Sequence, residues 1–250
     1  MNTKYFFLSL CCLFCLACEK SQAVTVEPEL PVVPQEPPAP PTIDTVHYLA
    51  LGDSYTIGHG VAYAERFPVQ LVRALRQQLP DSFHLPEPHI VARTGWTTGQ
   101  LLNATANNDT LLARYGLVSL LIGVNNQYQR QDFPLYEQQF PQLLSRAIAF
   151  AGGDTSRVFV LSIPDYAYTP FGQGSQNPAQ ISAQLDEYNA FNRQVAESWG
   201  VAYFDITPIS REGLDRPELV AGDRLHPSGL MYQAWVELML ETLASSLAGE

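Results

Sequence analysis

Lysine is almost absent from this chain: only Lys4 and Lys20 occur in 250 residues, and 14 basic residues face 25 acidic ones for a net charge of -11. Such a balance has no general attraction for phosphate backbones or anionic headgroups, which argues against a nucleic-acid partner. Charge of either sign is scarce at 16%, so Gln, Asn, Ser and Thr must cover much of the surface, as suits an extracytoplasmic protein. Cysteine is missing from the whole body of the chain; Cys11, Cys12, Cys15 and Cys18 all fall near the start. Cys15 and Cys18 form a C-x-x-C, but no later cysteine exists to complete a zinc site or a disulfide. The folded part must be stable without either. A long apolar run is also lacking: the stretch over residues 5–18 is shorter than the roughly 20 residues of a spanning helix.

That stretch follows Lys4 and ends at Glu19 and Lys20, the layout of a secretory signal peptide. Its end, Leu16-Ala17-Cys18, resembles the bacterial lipoprotein cleavage box, with Cys15 standing where an aliphatic residue is usual. The resemblance implies cleavage before Cys18 and lipidation of Cys18. It also implies outer-membrane sorting, because Glu19 is not the aspartate associated with inner-membrane retention. A periplasmic or secreted form is the alternative. Residues 27–41 are dense in proline, which removes backbone donors and favours a semi-rigid extended spacer. The expected organisation is a signal peptide at 1–17, a lipidated cysteine and Pro-rich linker at 18–41, and one domain at 42–250.

Within that domain, apolar runs at 46–51, 89–92, 117–122, 157–163 and 201–204 read as strands. They alternate with helical patterns at 62–79, 100–107, 133–151, 181–199 and 229–247, the third complicated by Pro134 and Pro141. Leu117-Val118-Ser119-Leu120-Leu121-Ile122 is nearly all apolar, as a strand covered on both faces should be. The helix at 62–79 carries Phe67, Leu71, Leu75 and Leu79 on one face, and Thr98 is a candidate cap for the next helix. The closing helix carries Tyr232, Trp235, Val236, Met239 and Leu243, a stripe that suits core better than a cofactor site. The loop at 165–178, rich in Tyr, Gly and Pro, suits a substrate wall or an irregular cover. This alternation predicts the α/β class: a three-layer α/β/α sandwich around a central, mostly parallel sheet.

The chemistry-bearing residues fall just past the strands. Ser54, in Gly52-Asp53-Ser54, follows the first; Gly95 follows the second and Asn125 the third. In a parallel sheet all three loops share one edge, where such folds place their sites. A serine hydroxyl needs an adjacent base to become a nucleophile. His226 is the best candidate, because Asp223 stands three residues before it and could fix its tautomer. His47, His84 and His89 lie in or beside strand regions, whereas His59 is close to Ser54 in sequence and stays open as an alternative base. The Ser54 and Gly95 amides and the Asn125 side chain could together hold an oxyanion. Each piece alone has a plainer explanation: a helix cap at Asp53-Ser54, a turn at Asn125, or half of a metal site at Asp223 and His226 whose other ligands are not evident.

Taken together, Gly52-Asp53-Ser54, Gly95, Gly123-Val124-Asn125-Asn126 and Asp223-Arg224-Leu225-His226 resemble, in order, the motifs of the SGNH hydrolases, or GDSL esterases and lipases. Tyr55 stands where leucine is common in that family, and Asn126 where aspartate is common. The resemblance implies a flavodoxin-like fold with a five-stranded sheet and no metal or organic cofactor. It assigns Ser54 as nucleophile, His226 as base, Asp223 as supporting acid, and Ser54, Gly95 and Asn125 as oxyanion donors. A general carboxylesterase or lysophospholipase-like activity is the leading expectation, through an acyl-enzyme. A carbohydrate O-acetylesterase is the alternative, and a non-catalytic surface-binding lipoprotein is the rival from another class. The expected partners are a small ester, lysolipid or acetylated glycan, and a membrane reached through the lipid anchor. Tyr128, Tyr166, Tyr168 and Phe171 are candidates for the cleft wall.

Overall fold

The computed structural model describes residues 44–106 and 108–249. The expected signal peptide, Cys18 and the whole Pro-rich linker lie outside them. Five strands form one sheet: β1 (Tyr48–Gly52), β2 (His89–Ala92), β3 (Leu117–Leu121), β4 (Val158–Leu161) and β5 (Ala202–Phe204). Their order is β2-β1-β3-β4-β5, and every pairing is parallel. This is the flavodoxin-like arrangement, whose strand order reverses between β1 and β3.

Burial follows position in the sheet. Every residue of β1, β3 and β4 is buried, whereas most of β2 and all of β5, at the two edges, are only partly covered. The central strands are apolar for that reason. The polar groups they carry pair with each other: Tyr48 OH and Ser119 Oγ lie 2.7 Å apart.

Nine α-helices connect and cover the described strands: α1 (Ser54–Ile57), α2 (Phe67–Gln78), α3 (Thr98–Ala106), α4 (Val124–Tyr128), α5 (Phe133–Phe150), α6 (Pro170–Gln173), α7 (Pro178–Ser198), α8 (Thr207–Ser210) and α9 (Gly229–Ala248). Helices α2 and α9 pack together, as do α3 with α5 and α5 with α7. The stripe expected on the closing helix is buried, and Phe67 of α2 meets Tyr232 and Trp235 of α9 at ring separations of 6.1 and 6.0 Å. A separate two-stranded parallel ladder pairs Asp44–Thr45 with Phe83–His84.

The elements differ from the sequence expectation at the loops. Helix α2 begins at Phe67 rather than at 62, because the residues before it form a 3₁₀ turn, Tyr63–Glu65. Residues 124–128 and parts of the 165–178 segment are short helices rather than loops. Thr98 lies inside α3 rather than capping it: its N–H donates to Asn126 Oδ1, and its hydroxyl bridges Asn126 Nδ2 and Gln139. No helix among the described residues is long and apolar enough to cross a membrane.

Candidate active site

The chain leaves β1 at Gly52 and turns at once into α1. Asp53 is the N-cap, its Oδ1 accepting the Tyr55 N–H at 3.0 Å, and Ser54 is the first helical residue. A serine there sits among amides with no helical acceptor. Helix α1 is a single turn. The Gly58 and His59 N–H groups both return to the Ser54 carbonyl, and Gly58 closes the turn in the left-handed conformation.

The loop after β2 brings Gly95 to the same edge. Gly95 has φ +85°, a conformation that L side chains rarely adopt, and a Cβ there would meet nothing within 4 Å. Its need for glycine is therefore conformational rather than spatial. Its carbonyl accepts from Gln129 Nε2 at 3.0 Å, which fixes the peptide plane that follows. The Asn125 Nδ2 donates to the Trp96 carbonyl at 3.0 Å. An amide NH₂ has two donors, so the second remains for a ligand. Asn126, fully buried, holds these loops together: it accepts from the Thr98 amide and donates to Thr98 Oγ1 and Gln131 Oε1. Sequence reasoning noted Asn126 only as a departure from a family pattern and missed this bracing role.

Asp223 and His226 meet in a tight turn before α9. Asp223 Oδ1 accepts the N–H groups of Leu225 and His226 at 3.0 and 2.9 Å, while Oδ2 lies 2.6 Å from His226 Nδ1. Arg224 adopts φ +68° to make the turn, and its carbonyl accepts from the Phe171 N–H. Burial pushes the Asp223 carboxyl up, but the two amides and the His226 ring outweigh it and hold it below its ordinary value. The ionised carboxylate can only accept, so His226 Nδ1 carries the proton and Nε2 keeps its lone pair. Burial lowers the His226 pKa below 6.5, opposed by Asp223 and assisted by His59. The ring is then neutral at pH 7, with a basic nitrogen free.

Ser54, Gly95, Asn125 and His226 line one cleft of about 330 Å³, together with Thr94, Val124, Leu225 and aromatic side chains. Ser54 and His226 are only 4% and 8% exposed. Tyr128, Tyr166 and Phe171 form the aromatic wall, with ring separations of 6.1 to 6.5 Å. Tyr168, expected on that wall, instead lies under the Arg211 guanidinium at 5.8 Å. The structure thus brings Ser54, Gly95, Asn125 and His226 to one cleft, with Asp223 behind His226; Cys18 is outside the described residues.

His59 does not line this cleft. Its ring lies 4.6 Å from that of His226, its Nδ1 is 3.0 Å from Thr94 Oγ1, and its Nε2 is 4.0 Å from Asp223 Oδ2. His59, Asp223 and His226 each offer a ligand atom within 4.8 Å of the others. The sequence shows Asp223 and His226 as half of such a set; the third member arrives only with folding.

A GDSL-like Lipase/Acylhydrolase family model matches residues 50–234. No curated protein sequence matches the chain. Among solved structures, the chain is similar to a lipase/acylhydrolase from Enterococcus faecalis, with 19% identity, 81% of this chain and 96% of that one covered, and a TM-score of 0.60. It is also similar to an acetylxylan esterase from Geobacillus stearothermophilus, with 18% identity, 84% and 97% covered, and a TM-score of 0.56. A member of the lipolytic protein G-D-S-L family from Veillonella parvula gives 15% identity, 78% and 97% covered, and a TM-score of 0.57. At these identities the structures share the fold.

Proposed function

The chain belongs to the GDSL-like lipase/acylhydrolase family and is a carboxylic ester hydrolase, and from that premise we propose that it acts through an acyl-enzyme formed on Ser54. The observation that carries this reading is the 2.6 Å contact of Asp223 with His226 Nδ1, beside a cleft that Ser54 and His226 share. His226 Nε2 takes the Ser54 proton as Oγ attacks the ester carbonyl, then returns it to the leaving alcohol. Asp223 holds the ring in the needed tautomer and stabilises the imidazolium. Water then repeats the sequence on the acyl-enzyme. The Ser54 and Gly95 amides and the free Asn125 N–H receive the oxyanion. None of these donors needs a metal or an organic cofactor.

The apolar cleft and its aromatic wall support a general carboxylesterase or lysophospholipase-like activity. A second reading, a glycan O-acetylesterase, draws support from the adjoining groove of about 700 Å³. That groove shares Tyr128 and Tyr166 with the cleft and carries Gln127, Gln131, Gln180 and Gln184. Planar amides and aromatic faces suit sugar hydroxyls and ring faces better than acyl chains. We further propose that the domain from residue 42 onward is tethered to the cell envelope, at the outer membrane, through a lipid on Cys18 and the Pro-rich spacer. Palmitate labelling that Cys18→Ala abolishes is the test.

Hydrolysis of p-nitrophenyl esters from acetyl to palmitoyl tests the activity. Ser54→Ala should lower kcat by at least about 10⁴-fold. Equal rates for Ser54→Ala and the parent protein, with no labelling by an organophosphonate ester, would favour the binding-protein alternative. A preference for acetyl together with acetate release from acetylated xylan supports the glycan reading. A preference for eight carbons or more supports lysolipids.

A further inference from the structure

We propose that His59, Asp223 and His226 form a binding site for a zinc-class divalent cation, and that occupancy of this site switches the enzyme off. The inference rests on the role of His226 as base, and it concerns regulation of that same centre.

The argument begins with two acceptors facing each other. If His59 Nδ1–H donates to Thr94 Oγ1 at 3.0 Å, His59 Nε2 carries a lone pair. That lone pair lies 4.0 Å from Asp223 Oδ2, which is also an acceptor. In that tautomer the two acceptors do not bond each other directly, and a donor or a cation placed between them makes the contact favourable. Two metal–ligand bonds of about 2.1 Å reach about 3.4 Å at a tetrahedral angle and about 4.2 Å in line, so the 4.0 Å pair falls within a cation's span, while the 2.6 Å pair of His226 Nδ1 and Asp223 Oδ2 has to give up its hydrogen bond and open as the cation enters. The hydroxyl behind His59 Nδ1 is the arrangement that orients a metal-binding imidazole.

The backbone builds this approach. His59 follows the left-handed cap of α1, and Gly60 then passes so close to the acid that a Cβ there would stand 3.0 Å from Asp223 Oδ2. With Gly60 bare, His59 Nε2 comes within 4.0 Å of the same Oδ2 that His226 Nδ1 meets at 2.6 Å. The His59 side chain is 49% exposed and that of Asp223 29%, so a hydrated ion can enter and keep water in its remaining positions. Imidazoles and one carboxylate suit zinc, copper and nickel better than magnesium or calcium, which prefer all-oxygen shells.

Occupancy inactivates by tautomer. When the cation takes His226 Nδ1 together with Asp223 Oδ2, the neutral ring keeps one proton, which solvent moves from Nδ1 to Nε2. Nε2 then donates and can no longer accept the Ser54 proton. A cation on Nε2 blocks the same lone pair directly.

The test uses purified protein and zinc chloride, with p-nitrophenyl acetate as the reporter. Zinc should inhibit at micromolar levels, EDTA should restore turnover, and magnesium or calcium chloride at the same concentration should not inhibit. His59→Ala, measured against its own turnover without zinc, should need about tenfold more zinc or higher for the same fractional inhibition. Thr94→Val should shift the zinc response in the same direction by less. Cobalt(II) titrated into Ser54→Ala should develop visible d–d absorption that the added His59→Ala change removes. The cobalt arm reads the site without turnover, so an inactive parent protein would count against the hydrolase reading and leave the site separately testable. Equal zinc sensitivity of His59→Ala and the parent, equal inhibition by magnesium, or cobalt absorption independent of His59 would each overturn the proposal.

Discussion

The start of α1 and the turn before α9 each place an aspartate beside the site, and the two carboxylates sit in opposite surroundings. Asp53 has no exposed surface; Oδ1 caps α1, and no partner among the described residues reaches Oδ2. Burial pushes its pKa up to about 7, against the opposing pull of backbone N–H groups. Asp223 is partly exposed, receives two backbone amides and the His226 ring, and is held below its ordinary value. Adjacency to the serine in sequence therefore does not make a supporting acid. Solvation and donors do, because only a carboxylate that stays ionised can fix the tautomer of a neighbouring imidazole.

The sharpest way to break this comparison is to neutralise each acid in turn. Asp223→Asn should lower kcat by about 10⁴-fold with little change in fold. Asp53→Asn keeps the capping oxygen and should stay within about tenfold of the parent enzyme. Comparable losses at the two positions would erase the distinction.

Stability should report the same contrast. A buried carboxyl whose folded pKa exceeds its unfolded value holds its proton in the folded state while the unfolded chain has released it. Stability then falls as pH rises from about 4 to about 7, by up to about 4 kcal/mol for a shift of this size. Urea denaturation across that range should show the decline in the parent protein and a flatter profile in Asp53→Asn. Asp223 contributes in the opposite sense: its stabilisation is present above its unfolded pKa and is lost as pH falls through the lowered folded value.

Smaller effects sharpen the picture further. Asn125→Ala removes one oxyanion donor and should lower kcat by about 10²- to 10³-fold, or about 3 kcal/mol, with KM nearly unchanged. A KM effect alone would assign Asn125 to substrate binding. The acid limb of kcat/KM should fall below pH 6.5, because protonated His226 cannot accept a proton. In Asp223→Asn the residual activity should show that limb moved lower still, since the carboxylate is what raises the His226 pKa.

Much of this was legible beforehand because it depends on local pattern. Ser54, Gly95 and Asn125 each follow an apolar run, and parallel strands put the ends of such runs on one edge. Asp223 and His226 are close enough in sequence for a single turn to join them. The short helices at α4 and α6 were not legible. Each is about one turn long, too brief for a periodic pattern, and each is held by contacts from elsewhere, as where the Arg224 carbonyl accepts from Phe171. Tyr168 carries the same composition signal as Tyr166, yet the 3₁₀ turn they share sends one to the cleft and the other to Arg211.

By itself, the sequence determined the layer order, the parallel sheet and the side chains able to do acyl-transfer chemistry, since apolar periodicity and strand-end residues are local properties of a chain. Tertiary structure alone decided what each group experiences. It buried Asp53 without a full set of partners, solvated and paired Asp223, wedged Asn126 between two loops, and set His59 against a carboxylate far along the chain. Desolvation and hydrogen bonding depend on every neighbour in space, and those neighbours come together only when the sheet and its covering helices are assembled.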